Sequence, residues 1–210
     1  MLHFMEKPLN SVSEIIENAL DKAIDYASYR NMVREWAETG SNSGPEQNEA
    51  LGNYTQLNDK RMKRWDKTLK FDMVKLANVS LSSKITWLVI TESWCGDASP
   101  SLPVMHKITE SIENLELKIV YRDENLNLMN QFLTNGAMSI PKLIMLDSHS
   151  HEVLGEWGPR STVPSQMVQD YKNQHGQLSA ELKQNLQTWY NKNKGIDVFN
   201  DLMALLLTLK

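Results

Sequence analysis

The sequence predicts an α/β protein built on a mixed central sheet, and three observations carry that prediction. Between residues 84 and 175, short apolar runs alternate with stretches of helical period in the order β-α-β-α-β-β-α. The first run, Ile85-Thr-Trp-Leu-Val-Ile-Thr91, is nearly continuous in apolar and β-branched residues, as a strand covered on both faces must be. The last two runs, 142–146 and 152–157, are separated only by polar residues 147–150, the spacing of a β-hairpin. Strands joined through helices pair parallel, and the hairpin adds an antiparallel edge.

Taken in order, the chain opens with helix. Ser11 or Ser13 can cap a helix running to about residue 38, since Ser11-x-x-Glu14 has capping-box spacing. Ile15, Ile16, Ala19, Leu20, Ala23, Ile24 and Ala27 recur at three- and four-residue steps. Gly40-Ser-Asn-Ser-Gly-Pro45 is dense in helix breakers and reads as a loop. A second helix is expected over 46–69, with Leu51, Tyr54, Leu57, Met62 and Trp65 as its apolar positions. Its latter half carries Lys60, Arg61, Lys63, Arg64, Lys67 and Lys70, diluted by Asp59, Asp66 and Asp72. Such a cluster is read as a solvated helix face. A short helix over 68–81 leads into the strand at 85.

Residues 99–113 are expected to be helical, 117–121 to form the second strand, and 126–133 a short helix ended by Asn135-Gly136. After the hairpin, Gly158-Pro159 breaks the strand and 161–173 starts a further helix. Two more helices, 178–190 and 196–209, flank the Lys192-Asn-Lys-Gly195 turn. Three sections follow: a helical N-terminal extension over 1–80, a core over 81–175, and C-terminal helices over 176–210 packed on the core.

Composition narrows the function classes. A chain of 210 residues with 41% apolar and 23% charged residues has the make-up of a globular protein, and its net charge of −4 gives no global support for nucleic-acid binding. The N-terminal stretch has no apolar run of signal-peptide length, with Glu6, Glu14 and Glu17 interrupting it, and no segment reaches the ~18 apolar residues of a membrane span. One cysteine, Cys95, excludes an internal disulfide and a four-thiolate zinc site. The expected compartment is the reducing cytoplasm, with no nucleic-acid or membrane partner, no metal and no cofactor.

Cys95 sits in Trp94-Cys95-Gly96-Asp97-Ala98, between the first core strand and its helix. That placement, with Pro103 eight residues on, Ser139-Ile140-Pro141 before the hairpin and Gly158 after the last strand, resembles the thioredoxin superfamily over residues 84–173. The WCGDA form with helices ahead of it is similar to a bacterial subgroup of single-cysteine thioredoxin-family proteins. The resemblance implies a thioredoxin-like fold, with a cis-proline at 141 and a substrate groove formed by Ile140 and Pro141 beside Cys95.

A cysteine at a helix start faces unpaired N–H groups and the positive end of the helix dipole, which lower thiol pKa values to ~3.5–7.5 from ~8.5. Gly96 permits the tight turn, and Trp94 is expected to screen one side of the thiolate. Asp97 opposes ionisation of Cys95 by its own charge. Against the family pattern, the resolving cysteine is replaced by Ala98 and the buried acid by Val89. The pKa of Cys95 is therefore expected to fall less than in a dithiol site, and reductase chemistry by the usual internal route is excluded. His106, eleven residues further along the helix or ~16 Å, is out of reach, and His149 and His151 read as surface residues. Two functions follow. The first is monothiol thiol–disulfide chemistry on a protein or low-molecular-weight thiol or disulfide, with an external thiol resolving the adduct. The alternative is a non-catalytic thioredoxin-like module that holds a partner in the groove between Trp94 and Ile140-Pro141, or on the helical extensions.

Overall fold

The structure, a computed structural model, describes residues 11–209 except 72 and 78. The N-terminal stretch read for a leader, Glu6 within it, and Asp72 of the basic cluster therefore lie outside the described residues.

The mixed sheet has four strands, β1 (Ile85–Thr91), β2 (Leu115–Tyr121), β3 (Lys142–Asp147) and β4 (Val153–Trp157), in the order β2-β1-β3-β4. β1 pairs parallel with β2 and antiparallel with β3, and β3 closes the hairpin with β4. Every residue of β1 is buried, which explains why its sequence has no alternation.

The helices ahead of the sheet depart from the sequence reading at one point. One helix to residue 38 was expected, but the chain forms α1 (Val12–Leu20) and α2 (Tyr26–Thr39) with a break between. Ser11 and Glu14 form the reciprocal cap of α1. After Leu20 the backbone straightens, and Ile24 exchanges two hydrogen bonds with Ile119 of β2, at 2.9 and 2.8 Å. Asp25 then caps α2 by accepting from Ser28 N–H. The break thus covers the outer edge of β2, whose backbone groups would otherwise stand unpaired.

α3 (Glu49–Thr68) packs against α2 and against α5 (Ala98–Thr109), the helix that follows β1. At Gly52 of α3 a Cβ would stand 2.2 Å from the carbonyl oxygen of Gly40, so only glycine allows α3 to approach the end of α2 so closely. α4 (Met73–Ala77) and α6 (Leu126–Met129) are short. Beyond β4 come α7 (Thr162–His175), α8 (Ala180–Asn193) and α9 (Ile196–Leu207). The Ser161 side chain does not cap α7; Asp201 and Asp197 of α9 accept from its Thr162 and Val163 N–H groups instead. α9 also packs on α5 and β4, so these helices are fixed to the core. Among the described residues no helix is long and apolar enough to cross a membrane.

Candidate functional site

β1 ends at Thr91 and α5 begins at Ala98, and residues 92–97 form the turn between them. Each part of that turn is held by a residue remote in sequence. Asn58 of α3, itself buried, donates through its amide to the carbonyl oxygens of Ser93 (2.9 Å) and Cys95 (3.1 Å). The Ser93 hydroxyl is bonded to Thr55 at 2.9 Å, and the Ser93 and Ser43 hydroxyls each accept the other's N–H. From the opposite side, Gln187 of α8 donates to Gly96 O at 3.1 Å. The Asp97 carboxylate is paired with Arg160 at 2.6 Å and accepts from the Tyr190 hydroxyl at 3.2 Å.

Cys95 is 6% exposed, and its thiol donates to the carbonyl oxygen of Ile140 at 3.2 Å. The Ile140–Pro141 peptide is cis. The backbone of Ile140 thus lies beside Cys95, and its carbonyl accepts the thiol hydrogen.

The electrostatics reverse the expectation for Cys95. Burial pushes its thiol up to about 12, and the charge of Asp97 pushes in the same direction. The N–H groups of Ala98 and Asp97 at the start of α5, together with Arg160, pull it down. The helix-start effect is therefore present but is outweighed by desolvation. Burial also raises the carboxyl of Asp97, which Arg160 and Tyr190 partly offset.

A second correction concerns the buried acid. Val89 is a core residue of β1, yet the site has a buried carboxyl at another position, Glu92. It accepts from Asp123 N–H at 2.9 Å and from the Ser43 hydroxyl, and burial raises its pKa.

Trp94 lies over the turn with the Arg122 guanidinium 4.9 Å from its ring, and Arg122 is in turn paired with Asp123 at 2.8 Å. A cleft of about 560 Å³ opens above Cys95, Gly96 and Asp97, and Ile140 borders it; α3 and α8 form its walls. This corrects two readings of α3. Tyr54 and Leu57, expected as packing positions, are 42% exposed and line the cleft, while Gly52, Thr55 and Asn58 take the buried face. Arg61, read as part of a solvated basic face, is half-buried at the cleft; Lys60, Lys63, Arg64, Lys67 and Lys70 are exposed.

His106 stacks on Tyr26 at 4.2 Å and meets Glu110 at 3.5 Å, away from the cleft lining. His149 is exposed and His151 half-buried at the hairpin turn. No group of three His, Cys, Asp or Glu side chains among the described residues could hold a metal ion.

Sequence reasoning missed Asn58, Arg61, Glu92, Arg160, Gln187 and Tyr190. One signal was available: Gly52, Thr55 and Asn58 recur at three-residue steps on α3, a small and polar face where an apolar stripe would be expected. Glu92 stands in the turn itself, three residues before Cys95, but nothing in the local sequence pairs Arg61, Arg160, Gln187 or Tyr190 with the turn.

A family model described as Thioredoxin matches residues 44–172. The match starts forty residues before the point at which the sequence resemblance began, and so takes in α3 with Thr55 and Asn58, and also Arg160, but not Ser43, Gln187 or Tyr190. Among solved structures, a protein of unknown function from Pseudomonas aeruginosa aligns at TM-score 0.57 with 17% identity, over 96% of this chain and 100% of that one. An engineered HIV epitope scaffold aligns at TM-score 0.52 with 17% identity, over 88% and 99%. At this identity the likeness is one of fold. No curated protein matches the chain.

Proposed function

The chain belongs to the thioredoxin family, and from that premise we propose that it is a binding member, in which the nucleophile-bearing turn serves as the floor of a ligand cleft. The observation that carries this reading is the hydrogen bond from the Cys95 thiol to Ile140 O, in a turn whose other carbonyls are capped by Asn58 and Gln187. Disulfide exchange needs a thiolate with free approach to sulfur. Here the hydrogen is committed to a carbonyl and the adjacent Asp97 opposes the charge. With a pKa near 12, the thiolate is ~10⁻⁵ of the population at neutral pH, against a few per cent for a free cysteine. The same groove offers walls of apolar side chains and a floor with cationic groups, which is what a ligand site needs.

Monothiol exchange is supported by a different observation: Cys95 borders the cleft at the position of the family's nucleophile. A ligand that takes over the Ile140 carbonyl would free the thiol. Cys95 would then give its proton to water, its Sγ would bond one sulfur of a disulfide, and the other sulfur would leave as thiolate. An external thiol would cleave that mixed disulfide and restore Cys95.

Mass spectrometry of the full chain after diamide with a low-molecular-weight thiol separates the two readings. The binding reading expects Cys95 unmodified at neutral pH and partner binding unchanged in Cys95→Ser. A stoichiometric mixed disulfide on Cys95 overturns it in favour of exchange.

A further inference from the structure

Resting on that binding reading, we propose that the cleft over Cys95 selects an amphipathic carboxylate, with its head at Arg61 and its aliphatic body between α3 and α8. The charge balance at the floor supplies the first reason. Five charged side chains line the cleft, Arg61, Arg122, Arg160, Lys183 and Asp97. Arg122 is neutralised by Asp123, and the Lys183 ammonium stands over the Tyr54 ring at 5.9 Å. Two guanidiniums then share one carboxylate: Arg160 is paired with Asp97, and Arg61 also acts on Asp97. Among the described residues Arg61 has no carboxylate within ion-pair distance, its bond being to Asn58 Oδ1 at 3.2 Å. Two cations are left without a carboxylate among the described residues, the exposed Lys183 and the half-buried Arg61, and of these the Arg61 guanidinium fork matches a monoanion with two coplanar oxygens.

The second reason is an unused donor. The Nε–H of Arg160 is buried with no hydrogen-bond partner among the described residues, and so is the indole N–H of Trp94. Arg160 lines the cleft, whereas the Trp94 nitrogen lies against Gly44, outside the cleft lining; buried donors are ordinarily satisfied. A carboxylate oxygen between Arg160 and Arg61 would supply the missing acceptor once the Arg160 guanidinium turns towards the cleft, since its Nε is buried in this arrangement.

The walls supply the third. Leu51, Tyr54 and Leu57 recur at three-residue steps on α3 and face Leu182 and Leu186 of α8 across the cleft. Tyr54 and Leu57 are each 42% exposed. Two facing apolar rows that converge on a surplus cation suit a chain with a charged end. The volume of about 560 Å³ lies within the range of small-ligand sites.

The test is titration of the full chain, by calorimetry and by tryptophan fluorescence, with decanoate, decyltrimethylammonium and acetate, the first two below their micelle concentrations. Decanoate is expected to bind at least ~10-fold more tightly than the cation of the same length and than acetate. Arg61→Gln is expected to weaken decanoate by ~10-fold, with Arg61→Lys recovering most of it, because the interaction is ionic. Leu57→Gln, at an exposed position, should weaken decanoate without changing the unfolding midpoint. Equal affinity for anion and cation overturns the proposal, as does undiminished binding by Arg61→Gln. Mixed-disulfide formation at Cys95 is scored separately. A protein that selects decanoate yet forms the adduct keeps the anion site and loses the binding-only reading; one that forms no adduct and shows no selectivity does the reverse.

Discussion

The Cys95 thiol and the carbonyl oxygen of Ile140 stand 3.2 Å apart, with the thiol as donor. A carbonyl oxygen can accept from a thiol but offers a thiolate nothing except repulsion, so this contact and burial act in one direction. The unmodified protein is expected to react with iodoacetamide at neutral pH ~10³-fold more slowly than a free cysteine. Thiolate absorbance should appear only as the pH approaches about 12. Because the folded state holds this proton more tightly than the unfolded one, stability should fall as pH rises from near 9 towards 12, a component missing in Cys95→Ala. Stopped-flow labelling and alkaline urea titrations check both.

Asp97→Asn removes the charge that most directly opposes ionisation of Cys95. Alkylation is expected to quicken by about tenfold. The same change leaves Arg160 facing a neutral amide. The two side chains are 19% and 14% exposed, so the loss of stability should be about 1–3 kcal/mol, below that for a fully buried pair. Labelling rate and urea midpoint should therefore move in opposite senses, reactivity up and stability down.

Asn58→Ala strips two buried carbonyls, those of Ser93 and Cys95, of their donor. The expected loss is about 2–4 kcal/mol, read as a lower urea midpoint at unchanged slope.

Glu92 is fully buried, and its pKa is raised from the ordinary value near 4.5. A raised carboxyl makes the folded state hold more protons, so its contribution to stability declines as pH climbs through and above that value. The difference in unfolding free energy between the unmodified protein and Glu92→Gln should shift against the unmodified protein from pH 4 to pH 7. A difference that is flat with pH would show that the carboxyl titrates as in the unfolded chain.

Gly158 has φ +114°, and a Cβ there would stand 2.2 Å from the carbonyl oxygen of Pro141. Gly158→Ala should cost about 2–5 kcal/mol from backbone strain and overlap together. Thermal unfolding measures this, and Gly136→Ala, with a positive φ but open space around it, should cost less.

How much of this was legible in the sequence depends on how local its cause is. The uninterrupted apolar run of β1, the hairpin and the capping box at Ser11 are written in neighbouring residues, and the sequence reading found them. The break at Ile24 was not visible because its cause is β2, almost a hundred residues away, whose edge needs a backbone partner. The Cys95 turn was located from its motif, but its chemistry was misjudged. The helix-start N–H groups that favour a thiolate are local, whereas the burial that overrides them comes from remote packing. Gln187 and Tyr190 act on the turn only because α8 folds back over it, and Arg160 reaches Asp97 from the segment between β4 and α7.

That fold-back has a consequence in time. Gly96 and Asp97 are closed by Gln187 and Tyr190, which lie 91 and 93 residues further along the chain. At ~5–20 residues per second, the ribosome takes ~5–20 s to make the intervening stretch. During that interval the Gly96 carbonyl and the Asp97 carboxylate of the nascent chain lack these two partners. The turn can therefore take its final form only once α8 has been made, so a chain cut before residue 187 would carry the motif without its closure.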